Sequence, residues 1–255
     1  MKWVLLTAFA IGAATVIGSA IGFLVKEIPD RYKDATNGLS GGIMLCAAII
    51  GLIQPAIAAG GDAGALICGI GVMCGALFLT LVNRLAPRLY GIMGIDPNAE
   101  QNQKCLQSTF LFIVAMGIHH VPEGIAAGVS FGTGSVSDIV AVAGGIAIQN
   151  IPEGMIIIAP MLHAGISQKR TAVIALCIGL MEVLGTLFGY FAVTVAAEIL
   201  PFALAFAGGT MLYVICDDVI PQTHGNGHDM IATYSTLAGF CLMLLLNFCI
   251  ERMGG

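Results

Sequence analysis

At 255 residues, 58% of them hydrophobic and only 10% charged, with a mean hydropathy of +0.94, the chain lies far outside the composition of a soluble domain. It reads as one polytopic membrane domain, residues 1–255, and as an all-α integral membrane protein. The net charge of -5 is small and dispersed, which excludes a nucleic-acid-binding patch or an acidic tail. The 34 glycines agree with this class, since membrane helices pack through small residues that let backbones approach closely.

About 20 apolar residues per crossing predict eight spans. The first runs from Trp3 to Val25 and is longer than a signal-peptide core, so it is read as a retained helix. The second lies within Ala35 to Gly61, the third from Ala63 to Asn83 and the eighth from Met230 to Ile250, all without a charge. The fourth (Leu106 to Phe131), fifth (Ile139 to Leu162) and sixth (Thr171 to Ala197) each carry one charged residue, Glu123, Glu153 and Glu182. The seventh, Ile199 to about Ile220, is clean until Asp217 and Asp218. Carboxylates in the middle of membrane spans are costly, and three on consecutive helices point to a bound cation. The longest connection, a polar loop of about 86–104 between spans three and four, has no structure assigned from sequence.

Lys and Arg accumulate on the cytoplasmic side of a membrane. Lys26, Arg31 and Lys33 follow span one, Arg84, Arg88 and Lys104 follow span three, and Lys169 and Arg170 follow span five. Those are eight of the ten basic residues, all in alternate loops; only Lys2 and Arg252, at the termini, fall on the other side. Both termini are therefore expected outside, and the 86–104 loop inside.

Two stretches repeat one pattern: His119-His120-Val121-Pro122-Glu123-Gly124, and Gln149-Asn150-Ile151-Pro152-Glu153-Gly154. Residues four apart share a helix face, so His119 with Glu123, and Gln149 with Glu153, project together, with His120 and Asn150 beside them. Pro122 and Pro152 cannot donate to the carbonyls of Ile118 and Ile148, which predicts a kink and a free carbonyl at that depth. If the two helices pack antiparallel, two carboxylates, two imidazoles and two amides meet at mid-membrane, with Glu182 approaching as a third carboxylate. Imidazole with carboxylate suits zinc, iron, manganese, cobalt or cadmium, and ligand type alone does not choose among them.

On these residues the chain resembles the ZIP (Zrt/Irt-like protein) family of divalent metal transporters, in its prokaryotic GufA-like branch. The resemblance extends to Gly179-Leu-Met-Glu182 and to Ala207-Gly-Gly-Thr-Met-Leu-Tyr213 leading into Asp217-Asp218-Val-Ile-Pro221. It implies a ZIP fold, with helices one to three and six to eight as inverted repeats around helices four and five. It also implies movement of metal into the cytoplasm through a binuclear centre. His119, Glu123, Gln149 and Glu153 would hold one ion; His120, Asn150 and Glu182 would hold the second, with Glu123 and Glu153 bridging. The metal is the cargo and no cofactor is expected. The prokaryotic cell membrane is the implied location, and a homodimer, as in relatives, is left open.

The chain departs from the family pattern at several positions. His120 stands where Asn is usual, Gln149 where many members have His, Gln54 where relatives often carry a carboxylate, and Val183 where Pro is frequent. No histidine-rich tract occupies the cytoplasmic loop. Asp217, Asp218, His224 and His228 either line a cytoplasmic exit or form a solvated helix end; the sequence leaves both readings open. Two other functions compete with transport by a carrier. One is an intramembrane metal-dependent hydrolase, against which the H-E-x-x-H signature is absent. The other is a proton-coupled cation channel or antiporter that uses the carboxylates as a relay.

Overall fold

The structure is a computed structural model that describes residues 1–25, 29–92, 101–224 and 227–254. Its described residues form helices and turns, with no strand among them. The long helices are α1 (Lys2–Val25), α2 (Asp30–Ala59), α3 (Gly64–Ile92), α4 (Gln101–Ser130), α5 (Val136–His163), α6 (Gln168–Val195), α7 (Ala197–Thr223) and α8 (Asp229–Gly254). All but α4 are long and apolar enough by composition to cross a membrane, seven among the described residues. The chain is thus a multi-pass membrane protein. The fourth expected span falls on α4, whose 30 residues carry the first copy of the repeated pattern.

Several boundaries differ from the sequence reading. Helix α3 continues to Ile92 and α4 begins at Gln101, so residues 86–92 and 101–104 of the expected connection are helical. Residues 93–100, with Asp96 and Glu100 among them, and Lys26 in the first basic loop lie outside the described residues. Helix α2 starts at Asp30 rather than Ala35 and so brings a buried carboxylate, Asp34, into its first turns. In α5 the helix breaks at Ile157 and resumes over Ile158–His163. Pro160 accounts for the break: it has no N–H for the carbonyl of Ile156, and its ring crowds that carbonyl.

Two wider π-type turns, Ala47–Ile53 in α2 and Ile215–Val219 in α7, have no counterpart in the sequence reading. Each lies just before a proline, Pro55 or Pro221, that cannot donate to the carbonyl four residues back. Widening the turn moves that carbonyl away from the ring, and such bulges recur at functional sites. At the other motifs, Pro122 and Pro152 sit inside helices that run on past them.

Lipid tails are as apolar as leucine, so the helices associate by close packing rather than by the hydrophobic effect. Leu66, Met73, Leu184, Phe188 and Leu245 face outward, where lipid would cover them. One apolar cluster joins Met44 and Leu52 of α2, Val142 and Ile146 of α5, and Leu204 and Met211 of α7. A second joins Ile157, Ile158 and Met161 of α5 to Ala175 and Ile178 of α6. Along α5 the repeated pattern, Gln149 to Glu153, falls between the two.

The glycine that ends each copy of the pattern sits at a close helix crossing. A Cβ on Gly124 would strike the backbone of Glu182 on α6, and one on Gly154 would strike Thr15 and Ser19 of α1. The pattern therefore does more than present side chains. Its glycines seat α6 against α4 at Glu182, and α1 against α5 at Thr15.

Candidate metal centre

Seven side chains named by the sequence meet at one place: His119, His120 and Glu123 from α4, Gln149, Asn150 and Glu153 from α5, and Glu182 from α6. All are buried; His119 at 6% and Glu153 at 7% exposure are the only two not essentially sealed. Two groups of metal-ligating type emerge, His119 with Glu123 and Glu153, and His120 with Glu123 and Glu182. In each, one ligand atom per residue lies within 4.8 Å of the others. Glu123 belongs to both groups, and Glu153 to the first alone.

The two groups differ in how open they are. His119 Nε2 stands 3.5 Å from Glu123 Oε1 and 3.9 Å from Glu153 Oε2. A tetrahedral cation about 2.0–2.2 Å from each ligand holds those atoms about 3.3 Å apart, so the first group is spaced for an ion. The second is drawn in on itself. His120 Nδ1 lies 3.1 Å from Glu123 Oε2 and in direct contact with Glu182 Oε1. Around them, Gln149 Nε2 donates to Glu123 Oε1 at 2.6 Å, and Asn150 Nδ2 donates to Glu182 Oε1 at 2.9 Å.

Buried polar atoms are normally paired, and those left unpaired here are informative. His119 Nε2, His120 Nε2, Gln149 Oε1, Asn150 Oδ1, Glu153 Oε2 and Glu182 Oε2 have no hydrogen-bond partner among the described residues. Every one has a lone pair to offer or can present one through its tautomer or amide orientation. Three carboxylates in a buried space cost several kcal/mol apiece as unpaired ions. A cation coordinated by these atoms removes both difficulties together, so the donor set fits a divalent metal.

The surroundings give the centre a direction. A small cavity of about 50 Å³ touches His119 and Glu153 and continues to Met116, Asn37, Asp218 and Gln222. A separate cavity of about 400 Å³ lies at the other end of the helices, lined by Gln54, Thr133, Asp138 and Leu200. Between Asp138 and Gln149 on α5 stand Val142 and Ile146, both fully buried. They pack in the apolar cluster with Met44, Leu52, Leu204 and Met211, whereas Asp218 lines the cavity that reaches His119 and Glu153.

The four residues assigned to an exit or a solvated helix end do not stay together. Asp218 lines the small cavity, whereas Asp217 is exposed beside it. His224 ties down the turn after α7, with Nδ1 3.0 Å from both Ile220 O and Thr223 Oγ1 and Nε2 3.2 Å from Thr233 Oγ1. His228 covers the buried Asp34, Nδ1 to Oδ2 at 3.2 Å. Sequence reasoning missed Asn37, Gln222 and Asp34, and it missed Thr15, whose hydroxyl donates to Glu182 Oε1 at 2.9 Å. The available signal was Thr15 and Ser19, four apart on one helix face of the first span.

The chain matches the sequence model of the ZIP Zinc transporter family over residues 94–247. It is 34% identical over 252 residues to a protein named zinc transporter GufA from Myxococcus xanthus, covering 96% of this chain and 98% of that relative. It is also 34% identical over 242 residues to zinc transporter ZIPB of Bordetella bronchiseptica, covering 92% of this chain and 77% of the relative. Zinc transporter ZIP11 of Homo sapiens is 38% identical over 143 residues, 54% of this chain and 42% of that protein. With the family model matching more than half of its length, and a full-length relative of this identity, the chain belongs to the ZIP zinc transporter family.

Proposed function

We propose that this protein carries divalent metal ions, zinc foremost, from outside the cell into the cytoplasm through the buried centre between α4 and α5. It is a transporter and not an enzyme, like the relatives that share its family. The single observation that carries the reading is the set of six unpartnered donor atoms, each on a different buried side chain, beside a cavity that Asp218 lines. Cadmium, iron, manganese and cobalt share the chemistry that these donors accept.

In this reading α4 is the fourth of eight crossings, both termini lie outside, and the membrane is the cell membrane. One ion sits among His119, Glu123, Gln149 and Glu153. The second takes His120, Asn150 and Glu182, with Glu123, which belongs to both groups, as the principal bridge and Glu153, which lies with the first, completing it from there. Release runs past Asp218 and Asn37, because that is the side on which the centre is open. The closed apolar layer at Val142 and Ile146 favours a carrier over a continuous pore.

Zinc and cadmium influx into proteoliposomes, read with a metal-sensitive dye inside and a pH dye in parallel, tests the proposal. Wild-type influx is expected, and Glu153→Ala should lower it at least about 10-fold, because removing even an outer-shell partner of a metal ligand costs roughly 10–100-fold. A wild type that binds zinc tightly and moves none would sink the carrier reading in favour of a buried metal enzyme. His120→Asn places the family's usual residue in the second group. It should change the order in which competing metals inhibit zinc uptake while leaving the melting temperature in detergent nearly unchanged. Identical competition profiles would show that His120 does not set selectivity.

A further inference from the structure

We propose that Thr15 of α1 is a positioning residue of the centre: its hydroxyl holds the Glu182 carboxylate so that Oε2 is the atom offered to the second ion. The inference rests on the two-ion reading above. Three donors from three helices converge on one carboxylate oxygen. Thr15 Oγ1 from α1 and Asn150 Nδ2 from α5 each approach Glu182 Oε1 at 2.9 Å, and His120 Nδ1 from α4 touches the same atom. The other oxygen, Oε2, is buried and unpartnered. A carboxylate gripped at one oxygen keeps its plane, and the free oxygen then points to a fixed place.

The helix crossings show that this contact is built rather than incidental. The twin glycines of the repeated pattern seat two backbones, Gly124 that of Glu182 and Gly154 that of Thr15, and the two seated residues hydrogen-bond to each other. Both are fully buried, and a second hydroxyl, Ser19 Oγ, donates to Thr15 O at 2.9 Å. Although α1 contributes no charged or imidazole side chain, it reaches the centre through Thr15. Orientation of a ligand by an outer partner is worth roughly 10–100-fold in metal affinity.

Val and Ser separate this role from packing, because Val keeps the shape of Thr without its hydroxyl and Ser keeps the hydroxyl without the methyl. Zinc bound per purified protein is measured by titration followed by elemental analysis, for wild type, Thr15→Val, Thr15→Ser and Glu182→Gln. The expected result is two zinc ions for wild type and Thr15→Ser. For Thr15→Val the first ion should keep its affinity and the second should weaken roughly 10–100-fold, approaching Glu182→Gln. Thr15→Ala, smaller than Val and also without the hydroxyl, is read in the same way should Val not be accommodated. If Thr15→Val binds both ions as wild type does, or Thr15→Ser is the defective variant, Thr15 only packs and the inference is overturned while the two-ion reading stands. A wild type that takes up a single ion overturns the two-ion reading and this inference with it.

Discussion

Zinc influx through Glu123→Ala is expected to fall by at least about 100-fold, the largest loss of any single ligand replacement. Outer partners of metal ligands are already worth roughly 10–100-fold, and Glu123 is the one side chain that belongs to both groups. Its Oε1 faces His119 and takes the Gln149 amide, while its Oε2 faces His120. Alanine removes a charge from the buried cluster and leaves His119, His120 and Gln149 unoriented. The measurement is initial influx into proteoliposomes, with protein insertion checked by size-exclusion chromatography. Glu153 enters only the first group, so the loss in Glu123→Ala should exceed that in Glu153→Ala. Equal losses would show that the shared position of Glu123 has no functional weight.

Gly124→Val should destabilise the protein more than a valine at any lipid-facing glycine, by about 1–3 kcal/mol or more, the range for forcing extra methyl groups into a packed interface. The added Cβ meets the Glu182 backbone, which cannot yield as the end of a flexible side chain can. Relief requires α6 to move away from α4, and Glu182 leaves the centre with it. The variant should therefore lose zinc binding along with thermal stability in detergent. Gly144→Val is the control, since a Cβ there meets nothing within 4 Å. Equal melting temperatures for the two variants would refute the assigned role of the motif glycine.

The membrane class and most spans were legible because hydropathy is a local property: seven of the described helices are long and apolar enough to cross. Where boundaries moved, a specific residue moved them. Pro160 broke α5 at Ile157, and α2 extended outward to Asp30 because Asp34, a polar residue that hydropathy excludes, is buried there with His228 against it. The π-type turns before Pro55 and Pro221 were not legible, since a proline in a helix can be relieved by a kink, a break or a widened turn, and neighbouring helices select among these.

By itself the sequence determined the residue types and spacings of His119, His120, Glu123, Gln149, Asn150, Glu153 and Glu182, because a turn of helix places residues three and four apart on one face whatever surrounds it. Only the tertiary structure decided which of them share a metal group, that Asp218 and not Asp217 lines the cavity, and from which end a cavity reaches the centre. It alone brought Thr15 to Glu182 across 167 positions of chain. The physical reason is range. Helix periodicity acts over a few residues, whereas α1 meets α6 where Gly12 and Gly179, far apart in the chain, let the two backbones touch, a relation no local pattern records.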